Sequence, residues 1–205
     1  MKRMVAGNSI LILLGIFVLG FFSMGFQLVG SRLLAPHFGS SLIVWAFLIS
    51  TFLAAFSTGS LFGGWVSRLS PAGKRRGVGI ITGLQIISLG FTAFSGKEFL
   101  RLVEAVASIR LGLLIACPAL FFFPVMMLSA FLPLATQSLA RSGFAAGPAS
   151  GLSYGISTAG NIAGVMGTAF LLVPNFRISH LLIAWFVFLM PLVIFLANRV
   201  TREAH

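Results

Sequence analysis

The sequence predicts an all-α integral membrane protein: six transmembrane helices, both termini cytoplasmic, and one interfacial amphipathic helix between helices three and four. Three observations carry this. Of 205 residues, 58% are hydrophobic and only 8% charged, and mean hydropathy is +1.06. A soluble domain carries about a quarter charged residues, so this chain cannot cover its surface with polar groups and takes lipid as its solvent. Second, six apolar runs approach the roughly 20 residues a bilayer core needs: residues 9–29, 42–66, 78–94, 111–135, 151–173 and 180–197. They are continuous and do not alternate, which argues against a membrane barrel. Third, lysine and arginine lie between the runs. With both ends inside, the inner side holds Lys2, Arg3, Arg68, Lys74, Arg75, Arg76, Arg141, Arg199 and Arg202. The outer side holds Arg32, Lys97, Arg101, Arg110 and Arg177. The whole chain, 1–205, reads as one polytopic membrane domain.

The first run opens with "MKRMVAGNSILILLGIFVLGFF", which has the basic start and apolar core of a signal peptide. The apolar stretch continues to Val29 and no A-x-A-like cleavage site closes it, so it reads as a retained helix. The connector "FQLVGSRLLAPHFGSSLIVW" is richer than a turn needs. Gly30 and Ser31 are expected to end helix one, Pro36 to set a bend, and Ser40 or Ser41 to cap helix two. Arg32 beside Gln27 has no such account. It is either a fixed-charge anchor for an anion or carbonyl, or a side chain snorkelling to lipid phosphates.

In the second helix Thr51, Ala55, Gly59 and Gly63 recur every four residues. In the fifth, Ser153, Ser157 and Asn161 form one stripe, and Gly160, Gly164 and Thr168 the next. Small residues let helices approach closely, so Thr51, Ala55, Gly59, Gly63, Gly160 and Gly164 are expected at packing faces. The same small polar residues could equally line a substrate path. Between helices three and four, "GKEFLRLVEAVASIR" sets Phe99, Leu102, Val103, Val106 and Ile109 on one face and Lys97, Arg101, Glu104 and Ser108 on the other. It forms an interfacial helix over 96–109, or extends a neighbouring helix into water. Helix four carries Pro118, Pro124 and Pro133, so it is bent or broken, and other groups must satisfy the freed carbonyls.

Residue supply excludes several functions. There is no aspartate, so no Ser-His-Asp set, and no acid inside any run, so no paired-carboxylate site. The chain is not expected to be an enzyme or to hold a cofactor. The single Cys117 cannot form an intrachain disulfide, and His37, His180 and His205 are too scattered for a metal site. The net charge of +11 follows membrane topology and not a nucleic-acid footprint. Intramembrane polar groups are few: Gln27, Gln85 and Asn161. Substrate-binding candidates are Gln27, Arg32, His37, Trp45 and Asn161.

The run "GSRLLAPHFGSSLIVWAFLISTFLAAFSTGSLFGGWVSR" resembles the membrane domain of bacterial fused transporter-like/spermidine synthase proteins. In that family a G-S-R-L-L-A-P-x-F-G-S-S-x-x-V-W run links the first two helices; Arg32, Pro36 and Trp45 match it, while Gln27 stands where an acid is common. "GLSYGISTAGNIAGVMGTAFLLVPNF" is similar to the family's fifth-helix segment. "GGWVSRLSPAGKRRG" resembles a degenerate form of the loop between helices two and three of major-facilitator carriers, with Ser67 in the place of an aspartate. The resemblance implies half of such a carrier, with a transport-type role for a small solute in an oligomer with itself or a partner chain. The nucleotide-fold aminopropyltransferase domain of the fused proteins is missing from these 205 residues. The alternative is therefore a membrane anchor or interaction subunit for a separately encoded soluble partner such as an aminopropyltransferase-like enzyme.

Overall fold

The computed structural model describes residues 2–202, with side chains described over residues 9–201. Lys2, Arg3, Arg202, Glu203 and His205 therefore lie outside the described side chains. Six helices are long and apolar enough to cross a membrane. They are α1 (Lys2–Phe38), α2 (Leu42–Ser67), α3 (Pro71–Val106), α4 (Ile109–Arg141), α5 (Ala146–Asn175) and α6 (Ile178–Arg202). No strand occurs among the described residues.

Short connections make successive helices antiparallel, and two of them need glycine. Gly39 (φ +77) closes α1, and Gly143 (φ +102) follows α4; both are left-handed conformations in which a Cβ is strained. Ser70 caps α3, accepting from Gly73 N at 3.3 Å, with Pro71 at the first helical position, where its missing N–H costs nothing.

Two expected boundaries are corrected. Gly30 and Ser31 do not end the first helix, which runs to Phe38 with Pro36 inside it. Ser31 Oγ donates back to Leu28 O at 2.8 Å, and buried Gly30 lets the Phe121 ring approach. Pro36 falls in the last turn of α1, where it lacks the N–H that would bond the Arg32 carbonyl. Ser41 occupies the α2 N-cap with extended backbone, but its side chain makes no cap bond; only its carbonyl accepts, from Trp45 N at 3.2 Å. Likewise, residues 96–109 are not a separate helix. Nothing between Phe94 and Val106 breaks the helix, so α3 continues until Ala107 turns extended. Its buried face there is Gly96, Leu100 and Val103, while Leu102 (68% exposed) and Val106 (86% exposed) point outward.

The closest pairings are α1 on α5 and α2 on α4, and α3 packs on both α4 and α6. Glycine sets the first two. A Cβ at Gly160 would overlap the Phe17 carbonyl oxygen, and one at Gly164 that of Phe21. Across α2 and α4, Gly59 and Gly63 meet the carbonyls of Met126 and Ala130 in the same way. Such close approach maximises dispersion contact where lipid removes any hydrophobic drive between helices. Ala55 extends the α2 seam, its carbonyl accepting from Ser129 Oγ at 3.2 Å, whereas Thr51 Oγ1 bonds within its own helix, to Phe47 O. Phe26, Phe52 and Phe121 fill the centre, with ring centroids 5.6–6.1 Å apart. Trp185 of α6 donates to Phe22 O at 3.0 Å.

Both α4 and α5 contain a π turn, over Pro118–Phe122 and Thr168–Leu172, and each ends two residues before a proline, Pro124 and Pro174. A proline lacks the N–H that the carbonyl four residues earlier would use, and a wide turn absorbs the defect. For Pro124 that carbonyl belongs to Leu120, and Thr92 Oγ1 of α3 donates to it at 2.6 Å. The expected bend in helix four is thus a π turn with a neighbour's hydroxyl bonded to the freed oxygen.

Two predictions follow from packing. Gly160→Ala forces backbone apart and lowers stability by roughly 1–3 kcal/mol, read by thermal unfolding in detergent, whereas Gly79→Ala, whose Cβ meets nothing within 4 Å, leaves it equal or slightly higher. Thr92→Val keeps the volume but strands the Leu120 carbonyl, costing about 1–3 kcal/mol in the same assay; unchanged stability would show that the bond contributes nothing.

Candidate functional site

Polar side chains collect at three places along the bundle. The first is a cavity of about 220 Å³ between α1, α2, α4 and α5. Ser23 of α1, Ser60 of α2, Ser129 of α4, and Tyr154, Ser157, Thr158 and Asn161 of α5 supply its polar lining; Leu19, Phe56 and Leu128 are among its apolar walls. The α1–α5 seam creates it. Gly20 brings α1 against the Ser157 carbonyl and Asn161, so the polar stripe of α5 faces inward beside it. Ser129 uses its hydroxyl on backbone, donating to Met126 O at 3.0 Å and Ala55 O at 3.2 Å. Ser23 differs: it is 5% exposed, and its Oγ has no hydrogen-bond partner among the described residues. A buried hydroxyl without a partner costs about 1–3 kcal/mol, and a bound polar molecule would recover it. No aspartate, glutamate, histidine, lysine or arginine lines it.

The second place is a mouth of about 510 Å³ where the end of α1, the end of α3 and the start of α6 converge. Arg32, His37, Lys97, Arg101, Arg177 and Ser179 line it. His37 Nδ1 pairs with Glu104 at 2.5 Å, Arg101 with Glu98 at 2.8 Å, and Lys97 donates to Ser179 Oγ. The extension of α3 is what delivers Lys97, Arg101 and both glutamates here.

The third lies at the opposite end. Lys74, 1% exposed, donates to Gln137 Oε1 at 2.8 Å, and Gln137 Nε2 donates to Ser67 O at 2.7 Å. This ties the α2–α3 corner to α4. Ser67 turns its own hydroxyl back to Gly64 O.

The candidate residues do not form one site. Arg32 and His37 meet at the mouth, and Asn161 lies in the central cavity. Gln27 is half-buried on α1 and lines neither; Trp45 is half-buried in the first turn of α2 and packs on the core. Gln85 is fully buried with both amide atoms unpartnered among the described residues. Sequence reasoning missed Ser23 and Tyr154. Ser23 stands four residues before Gln27, a spacing that signals a shared helix face, but a lone serine in an apolar run looks like any other. It also missed the burial of Lys74, which the string "GKRRG" presents as an ordinary solvated basic loop.

No family model matches the chain, and neither the curated proteins nor the solved structures provide a match.

Replacing Ser23 separates stability from function. Ser23→Ala removes the orphan hydroxyl and raises stability by about 1 kcal/mol in the empty protein, measured by thermal unfolding. A loss of that size instead would mean that the hydroxyl is satisfied and the cavity is not poised for a ligand.

Proposed function

We propose that this chain is a multi-pass protein of the bacterial inner membrane with a transport-type role for a small, uncharged polar solute, working as a homo-oligomer. The observation that carries the reading is the hydroxyl- and amide-lined cavity with the unpartnered Ser23 at its wall. At ~30 Å³ per water, its volume equals about seven waters, which suits a solute of sugar-like size. The absence of a carboxylate from its lining disfavours a polyamine or other polycation. The resemblance to the membrane domain of fused transporter-like/spermidine synthase proteins, and to half of a major-facilitator carrier, supports a transport role in which a second copy completes the path. Both termini then face the cytoplasm, as the lysine and arginine distribution suggests.

One observation favours the second reading, an anchor or interaction subunit for a separate soluble partner such as an aminopropyltransferase-like enzyme. Gly147, Gly151 and Gly155 share an exposed face of α5, with nothing within 4 Å of a Cβ at any of them. A second copy would use that face equally well.

Proteoliposome uptake distinguishes them. A labelled hexitol or hexose enters wild-type vesicles faster than protein-free ones, and Asn161→Leu slows entry about tenfold, the worth of roughly one hydrogen bond, with normal insertion. Putrescine flux without hexitol flux would overturn the uncharged assignment. No flux of any probe, with a stoichiometric soluble partner recovered after cross-linking, would favour the anchor.

A further inference from the structure

We infer that the mouth at the α1, α3 and α6 ends binds a phosphate group, carried either by a phospholipid headgroup or by a soluble phosphoester. The inference does not depend on whether the central cavity conducts.

The first support is charge. The chain has three acidic residues, and the two among the described side chains, Glu98 and Glu104, are both at this end. Each is already engaged, by Arg101 and His37. Arg32 and Arg177 have no carboxylate partner among the described residues, yet line one cavity with Lys97. Arg32, Lys97, Arg101 and Arg177 set four fixed cations against the two carboxylates, an excess of two positive charges. Arginine presents its donors as a planar fork that matches a phosphate bidentately.

The second support is backbone. Ile178 and Ser179 begin α6 and line the same cavity. The amide of Leu181 bonds the Arg177 carbonyl at 3.1 Å, so the three amides before it have no earlier turn to donate to. A 25-residue helix therefore directs its positive end and free donors to where the arginines converge. Leu33, Pro36 and Ile178 give one apolar wall, suited to the carbon skeleton beside the phosphate. The volume of about 510 Å³ exceeds what a bare phosphate fills, which favours an ester.

The test uses purified protein in dodecyl maltoside, with thermal unfolding and native mass spectrometry as readouts. The probes are short-chain phosphatidylglycerol, glycerol 3-phosphate and inorganic phosphate, each against sodium chloride at equal ionic strength. At least one phosphate probe raises the unfolding midpoint above chloride and forms a one-to-one adduct. Arg32→Gln with Arg177→Gln weakens that binding about tenfold or more, Arg32→Lys with Arg177→Lys less, and Arg75→Gln at the opposite end leaves it unchanged. Phosphatidylglycerol alone assigns the site to lipid; glycerol 3-phosphate binding assigns it to a soluble phosphoester; both support the proposal. It is overturned if no phosphate probe exceeds chloride, if the double glutamine variant binds as wild type, or if Arg75→Gln weakens binding equally. Both arginines are exposed, and the lysine pair and the wild-type comparison stand even if the glutamine pair fails to fold.

Discussion

Backbone-to-backbone contact between glycine-bearing helices is the constraint on which the structure depends. In lipid, helices gain nothing by hiding apolar surface from each other, because the alternative solvent is equally apolar. Cohesion must come from close packing, and packing is densest where no side chain intervenes. Gly160 and Gly164 on α5, and Gly59 and Gly63 on α2, each face a carbonyl that a Cβ would displace. These two seams fix α1 on α5 and α2 on α4. The central cavity is what remains between the two pairs, lined by polar residues one helical step from the glycines. Site and scaffold are thus neighbouring stripes of the same helices.

The same solvent constrains the bends. A carbonyl freed by proline in water is hydrated; in a bilayer core it needs a donor from protein. Thr92 is that donor for Leu120, which places a fully buried threonine on α3 and couples α3 to the bend of α4. Ser129, a turn beyond, bridges to the α2 carbonyl of Ala55. Hydroxyls in this protein mostly turn back onto backbone, as Thr51, Thr58, Ser88 and Thr136 do. Against that habit, the hydroxyls of Ser23, Thr82, Ser153 and Thr168 have no partner among the described residues, and of these Ser23 lines the central cavity.

Six spans and their order were legible because bilayer thickness sets a length that apolar runs must meet. Helix ends were less legible, and the reason is specific. Gly30, Ser31 and Pro36 are turn signals in water, where a broken helix end is hydrated cheaply. Here Gly30 is a contact for Phe121, Ser31 bonds its own helix, and Pro36 falls in the last turn. The stretch after Phe94 posed the converse problem. Its amphipathic pattern was visible, but Leu102 and Val106 point outward and Gly96 and Leu100 inward, since α1 and α4 decide which face is covered. For the site, Arg32, His37 and Asn161 could be named from residue type, but not that the first two line a different cavity from the third, with Arg32 about 14 Å further along α1 than Ser23 at a rise of ~1.5 Å per residue. Gln27 and Trp45 carried the same sequence signal and line neither cavity.

That separation has a chemical consequence. A fixed charge in a bilayer core is costly, and the central cavity has none in its lining. The described carboxylates and the converging arginines are held at the helix ends, where headgroups and water can solvate them. The two linings therefore suit different contacts: neutral hydrogen bonding in the central cavity, and charge at the mouth. An anion held at the mouth would be poorly matched to the cavity, since its desolvation would find no compensating cation there. If both proposals hold, the molecule at the mouth and the molecule in the cavity differ in charge, and the mouth would then serve as a docking or anchoring point for the bundle and not as the entrance to a central path.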